Sequence, residues 1–159
     1  MITTQTQFIA AGGNRHPSGA DWHGEQLAYA SGHNIAVWNP QRHPQPGVTT
    51  LLAGHTETVN AVKQLSLPQT TTPLLISAAA DKTVRLWSFK NGRYQEFLCL
   101  TDHQASVNTI SVVKKSDVFV TGAADATVKV WKIGSASSTD GVDGSVINGE
   151  STSVNDIAI

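Results

Sequence analysis

Histidine, a hydroxyl residue and aspartate recur together twice in this sequence, and these are the residue types from which nucleophilic hydrolysis is built. The first set is His55, Ser77 and Asp81; the second is His103, Thr121 and Asp125. In each, the hydroxyl precedes the acid by four residues and a tryptophan, Trp87 or Trp131, follows the acid by six. A catalytic triad needs one constellation in a cleft, with a nucleophile free to attack and an oxyanion site beside it. Two copies, each closed by a tryptophan that would cover the hydroxyl, argue for bracing instead. The carboxylate can accept from the imidazole N–H and from turn amides. The imidazole can accept from the hydroxyl, and the hydroxyl from the indole N–H, so every buried polar group gains a partner.

Other candidate chemistry is thin. His16, His23, His33 and His43 crowd the first third of the chain, but no second cysteine or paired carboxylate stands near them at metal-ligand spacing. The run Ala11 to Asn14 is glycine-rich yet lacks the lysine-serine continuation and following helix of a phosphate loop. No catalytic residue, metal ligand or cofactor is therefore assigned, and no small-molecule substrate.

The two sets sit inside a longer repeat. LLISAAADKTVRLW, Leu74 to Trp87, overlies VFVTGAADATVKVW, Val118 to Trp131, without a gap, and LAYASGHNIAVW, Leu27 to Trp38, is an earlier copy. GHTETVNAV from Gly54, DHQASVNTI from Asp102 and GESTSVNDI from Gly149 form a second aligned family. The period is about 44 to 49 residues, in the range of solenoids, propellers and arrays. Ile76 to Ala79 and Phe119 to Gly122 are β-prone runs, with tight turns expected at Asp81-Lys82 and Asp125-Ala126. Beyond the turns, Val84/Leu86 and Val128/Val130 alternate with Arg85 and Lys129, the period of two that a half-exposed strand shows. No apolar period of 3.6 persists, so the chain reads as all-β with about four strands per unit.

Departures from the pattern are specific. Counting back from Trp38 puts Ala28 at the hydroxyl position and Gly32 at the acid position, so the first unit should lack the network. Asn39, Ser88 and Lys132 follow the three tryptophans, and Glu150 takes the histidine place in the fourth unit.

Composition sets broad limits. Of 159 residues, 40% are hydrophobic and 14% charged, enough apolar material for a core. A formal charge of −1 gives no whole-molecule attraction to polyanions. A single cysteine, Cys99, fits a reducing compartment, and no apolar run approaches the roughly 20 residues of a membrane helix. Charge is uneven, however: Lys82, Arg85, Lys90, Arg93, Lys114, Lys115, Lys129 and Lys132 outnumber Glu96, Asp102, Asp117 and Asp125, while only acids follow Gly134. This basic stretch is either a solvated face or a polyanion-facing patch. Leu67 to Pro73 and Gly134 to Ser145 read as polar loops, candidate partner contacts or tolerated insertions.

The Gly-His histidine, strand hydroxyl, turn aspartate and strand tryptophan resemble the structural tetrad of the WD-repeat β-propeller family. That resemblance implies an incomplete propeller: a ring-closing strand at 6–12, blades at 18–52, 55–100 and 103–147, and the start of a fourth at 150–159. A ring of four to eight such blades needs roughly 175 to 350 residues, so an N-terminal fragment is expected, with self-association to complete a ring as the alternative. The order of QFIAAGGN, LAYASGHNIAVWNP and GVTTLLAGHTETVNAV also resembles the second-subunit family of the Elongator complex. This likeness implies a non-catalytic cytoplasmic, and also nuclear, scaffold. Its partners would be the largest Elongator subunit and the catalytic subunit that modifies wobble uridines in transfer RNA. A generic adaptor for peptide segments in a signalling or ubiquitin-ligase complex is the competing expectation, and direct tRNA contact through the basic stretch is a third.

Overall fold

A computed structural model describes residues 12–41, 47–67, 70–133 and 147–148. The expected ring-closing strand apart from Gly12, the fourth unit with Glu150, His43 and the Gly134 to Ser145 loop lie outside the described residues. Twelve strands occur and no helix among the described residues. They form three antiparallel four-stranded sheets. The first holds β1 (Ala20–His23), β2 (Gln26–Ser31), β3 (Asn34–Asn39) and β4 (Gly47–Leu52). The second holds β5 (Val59–Leu65), β6 (Leu74–Ala79), β7 (Val84–Lys90) and β8 (Arg93–Leu100). The third holds β9 (Val107–Val112), β10 (Val118–Ala123), β11 (Val128–Ile133) and the two-residue β12 (Ile147–Asn148).

Each sheet is a meander whose first strand lies innermost, and β1, β5 and β9 stand side by side. They run in one direction. The amide of Val62 donates to Ser18 O at 2.9 Å and, further along both strands, Gln64 Nε2 donates to Asp21 O at 3.1 Å. Asn60 Nδ2 near the start of β5 donates to Val107 O at the start of β9 at 2.9 Å, while Leu67, past the end of β5, lies across one hollow from Ile133, whose amide donates to Asp117 O past the end of β9. This is the arrangement of propeller blades around an axis, three of them described here.

Turn chemistry fixes the hairpins. Asn91-Gly92 joins β7 to β8 with both residues at positive φ, 52° and 78°, the mirror-image turn whose twist suits a two-residue loop. Gly32, at φ 61°, opens the two-residue turn between β2 and β3.

Packing between blades explains the burial pattern. Ala28, Ala30, Ile35, Val37 and Leu52 of the first blade meet Val59, Val62, Leu75, Ala79 and Trp87 of the second. The other face of the second blade, with Ala61, Leu65, Ile76, Ala78, Val84 and Leu86, meets Val107, Ile110, Phe119, Trp131 and Ile133 of the third. Covered on both faces, β6 is buried from Leu75 through Ala79. In the third blade only one face meets a described neighbour, and β10 alternates.

Double coverage also corrects one expectation. Strand alternation puts Arg85 opposite the apolar Val84 and Leu86 and so on the solvent side, but its side chain is only 17% exposed, with Nη1 on Glu96 Oε2 at 2.6 Å, on the face that Trp87 turns toward the first blade. Strand alternation locates a face; it does not say whether that face meets water or another sheet.

Candidate functional site

The tetrad of the second blade begins at the β6–β7 turn. Lys82 adopts φ 69° there, a conformation most side chains avoid, and Asp81 compensates by accepting from the amide and hydroxyl of Thr83 through Oδ1, at 3.0 and 2.7 Å. The other carboxylate oxygen faces the loop that leads into β5. It accepts from the Thr56 amide at 3.0 Å and from His55 Nδ1 at 2.9 Å. With Nδ1 donating, Nε2 is left to accept from Ser77 Oγ at 2.9 Å, and Ser77 Oγ in turn accepts from the Trp87 indole N–H at 2.9 Å. The donors run in one direction from tryptophan to aspartate, joining two strands of a blade and the turn between them to its entry loop.

The third blade repeats this geometry. His103 Nδ1 lies 3.1 Å from Asp125 Oδ2, His103 Nε2 lies 2.8 Å from Thr121 Oγ1, and Trp131 Nε1 donates to Thr121 Oγ1 at 2.8 Å. Asp125 also accepts from the amides of Gln104 and Thr127, while Ala126 takes the left-handed conformation at φ 62°. Trp131 stacks on Phe119 with centroids 6.1 Å apart.

Burial pushes the Asp81 carboxyl up, but the amide of Thr56 and the hydroxyl and amide of Thr83 outweigh it and hold the group below the usual carboxylate range. Asp125 is likewise depressed: desolvation opposes ionisation, and bonds from Thr127, Gln104 and His103 overcome it. His55 moves down because burial disfavours the imidazolium more than Asp81 favours it. The His55–Asp81 contact is therefore a hydrogen bond from a neutral ring at neutral pH. Ser77 and Thr121 are wholly buried beneath their tryptophans, so neither oxygen can reach a substrate.

Gly54, before His55, is dictated by the same site. A Cβ there would lie 2.9 Å from Trp87 Cη2 and from Glu96 Oε2.

The first blade differs, and by register rather than by residue alone. Leu27 pairs with Trp38 as Leu75 pairs with Trp87, so the residue matching Ser77 is Tyr29, not Ala28. The β2–β3 loop is one residue shorter than the β6–β7 loop, and counting back from tryptophan therefore slips onto the opposite face. Ala28 packs against the second blade instead. Trp38 Nε1 is buried without a hydrogen-bond partner among the described residues. Gly32 has no side chain to offer the entry loop, and Asn14 reverses the roles. Its Oδ1 accepts from Gly32 N at 2.6 Å, and its Nδ2 donates to Gly32 O and Val59 O at 2.8 and 2.9 Å. In the sequence Asn14 stands out only as part of a glycine-rich run, and nothing there marks this role. Thr83 and Thr127 do leave a signal, the Asp-x-Thr spacing present in both repeats.

Because the Trp38 indole N–H bonds to nothing described, Trp38→Phe is expected to change stability by less than about 0.5 kcal/mol. Trp87→Phe, which leaves Ser77 short of a donor, is expected to cost about 1–2 kcal/mol in urea unfolding. Equal costs would show that the two tryptophans are held alike.

The basic stretch does not form one surface. Lys82 sits at the tetrad rim, Arg85 is tied to Glu96, and Lys129 lies mid-strand on β11. Lys90 and Arg93 flank the β7–β8 turn, Lys114 and Lys115 form the β9–β10 turn, and Lys132 pairs with Val118 beside it, all at the opposite rim. No three His, Cys, Asp or Glu side chains gather as a metal-holding group among the described residues.

Comparison with known proteins follows this geometry. The profile of the WD domain, G-beta repeat, matches residues 46–88 and 95–132, the stretches that carry Ser77 to Trp87 and His103 to Trp131. The chain belongs to the WD-repeat family. Among curated relatives of this WD-repeat chain, Elongator complex protein 2 of Danio rerio is 28% identical over 131 residues, covering 79% of this chain. Elongator complex protein 2 of Saccharomyces cerevisiae is 28% identical over 134 residues, 82% of this chain. Ribosome biogenesis protein ytm1 of Neurospora crassa is 31% identical over 108 residues, 63% of this chain. The chain spans 16% of the length of either Elongator relative.

Proposed function

We propose that this WD-repeat chain belongs to a non-catalytic scaffold that holds other proteins, and that the scaffold is an Elongator second subunit. The observation that carries the scaffold reading is the state of the hydroxyls. Ser77 and Thr121 are spent on holding sheets together, buried under Trp87 and Trp131, and the triad-like residue types have no exposed nucleophile. Likeness to Elongator complex protein 2 over about four-fifths of the chain supports the narrower reading. On it, the partners are the largest and the catalytic Elongator subunits, the process is wobble-uridine modification of transfer RNA, and the setting is cytoplasm and nucleus. The competing reading, an adaptor for peptide segments, is favoured by comparable identity to a relative named for another process, ribosome biogenesis. Blade limits of 18–52, 55–100 and 103–147, with a ring-closing strand at 6–12 and a fourth blade from 150, remain part of the same proposal.

Affinity purification of the tagged full chain from its own cells tests the assignment. The two large Elongator partners are expected to co-purify. Recovery of ubiquitin-ligase components without Elongator subunits would transfer the reading to the adaptor.

A further inference from the structure

The basic rim frames a groove. Between the second and third blades a hollow of about 370 Å³ is walled by Leu67, Pro73, Leu74, Phe89, Phe97 and Ile133, with Lys90 at its edge. Phe89 is 37% exposed, its ring set edge-on to Tyr94 at 5.0 Å. A second hollow of about 250 Å³, toward the first blade, shares Pro73 and Phe89 as its wall.

Strand direction places this groove and the basic turns together. Chain reversal sends the β6–β7 turn to one rim and the β5–β6 and β7–β8 turns to the other, and the parallel course of β5 and β9 aligns the third blade with the second. Ile133 fixes the third blade's side: its amide donates to Asp117 O, next to the β9–β10 turn, while its side chain lines the groove. In these two blades the groove rim bears Lys90, Arg93, Lys114, Lys115 and Lys132 against Asp117 alone among described acids. The tetrad rim bears Glu57, Asp81, Asp102 and Asp125 against Lys82. The described residues of these two blades are thus polarised from rim to rim.

We infer that the groove between the second and third blades, on the rim away from the tetrads, docks an acidic peptide segment of a partner protein, anchored by an aliphatic or aromatic side chain. The apolar walls supply the anchor site and the lysines steer and orient the acids around it. RNA fits less well, because Phe89 packs edge-on against Tyr94 and does not form an open stacking platform with it. The inference rests on the reading of the chain as a protein-holding scaffold, and not on which complex it serves.

Fluorescence anisotropy with the purified full chain tests it. The probes are a short labelled peptide alternating Glu and Asp with Leu and Phe, its counterpart with Lys for every acid, and single-stranded oligoadenylate. The acidic peptide is expected to bind saturably and more weakly as salt rises. Lys114→Glu with Lys115→Glu is expected to weaken it about tenfold without moving the unfolding midpoint, since both side chains are exposed in the β9–β10 turn. Phe89→Ser should weaken binding while leaving its salt dependence unchanged. No saturable binding of the acidic peptide, equal binding of the basic peptide, unchanged affinity in the double charge reversal, or binding of oligoadenylate alone would each overturn the inference. Elongator membership, read from co-purification, can fail or stand independently of these results.

Discussion

Trp87→Ala is expected to destabilise the chain by about 3–5 kcal/mol in urea or thermal unfolding, measured against Trp87→Phe. The indole is 3% exposed and sits where three structures meet: the core between the first two blades, the entry loop at Gly54 and the Ser77 hydroxyl. Truncation removes the largest side chain in that core and leaves a cavity between sheets that cannot collapse without moving a blade. It also strips Ser77 of its donor. Phenylalanine keeps most of the volume and loses only the N–H, so the difference between the variants measures packing and the smaller cost of Trp87→Phe measures the bond. Set against a total stability of about 5–15 kcal/mol for a domain, this is a large fraction, and the alanine variant should unfold at a much lower temperature than the parent chain. A cost under about 1 kcal/mol would mean that the inter-blade core is not what holds the sheets.

The second and third blades were legible because their tetrads are local in register. Once a turn of fixed length joins β6 to β7, the acid-to-tryptophan spacing is set by strand periodicity, and a gapless alignment finds it twice. The first blade misled for the same reason. Its loop is one residue shorter, and a count that is right for one hairpin picks the wrong face of the next, giving Ala28 in place of Tyr29. Asn14 escaped because its partner is backbone, and backbone acceptors leave no mark in a sequence. The basic stretch was visible as composition but not as surface. Successive turns alternate between rims, so residues a few positions apart, such as Lys82 and Lys90, end on opposite sides of the blade. The groove was invisible altogether, since Ile133 and Phe89 come from different blades.

A bracing role for histidine also makes the fold sensitive to acid, in two stages whose order the structure sets. Burial lowers the pKa of His55 below its unfolded value of about 6.5. Between those two values the unfolded chain binds the proton that the folded chain refuses, so stability must rise with pH there and fall as pH drops. His55 contributes fully above about pH 6.5 and loses that contribution as the pH falls through its depressed folded value. Asp81 and Asp125 are depressed as well, and their contributions are complete above about pH 4 and lost on further acidification. The unfolding midpoint is accordingly expected to hold level from neutrality to about pH 8, to decline on acidification from about pH 6.5, and to decline again below about pH 4. Imidazole chemical shifts should show the His55 ring gaining its proton in the folded chain only below pH 6.5. A midpoint unchanged between neutrality and pH 5, or a His55 ring that gains its proton above pH 6.5, would contradict this account. Hydrogen-bond direction acts in the same sense as burial: a protonated His55 has no lone pair for Ser77, whose hydroxyl proton would then be buried with no acceptor, and the chain of donors from Trp87 to Asp81 would be broken at its centre.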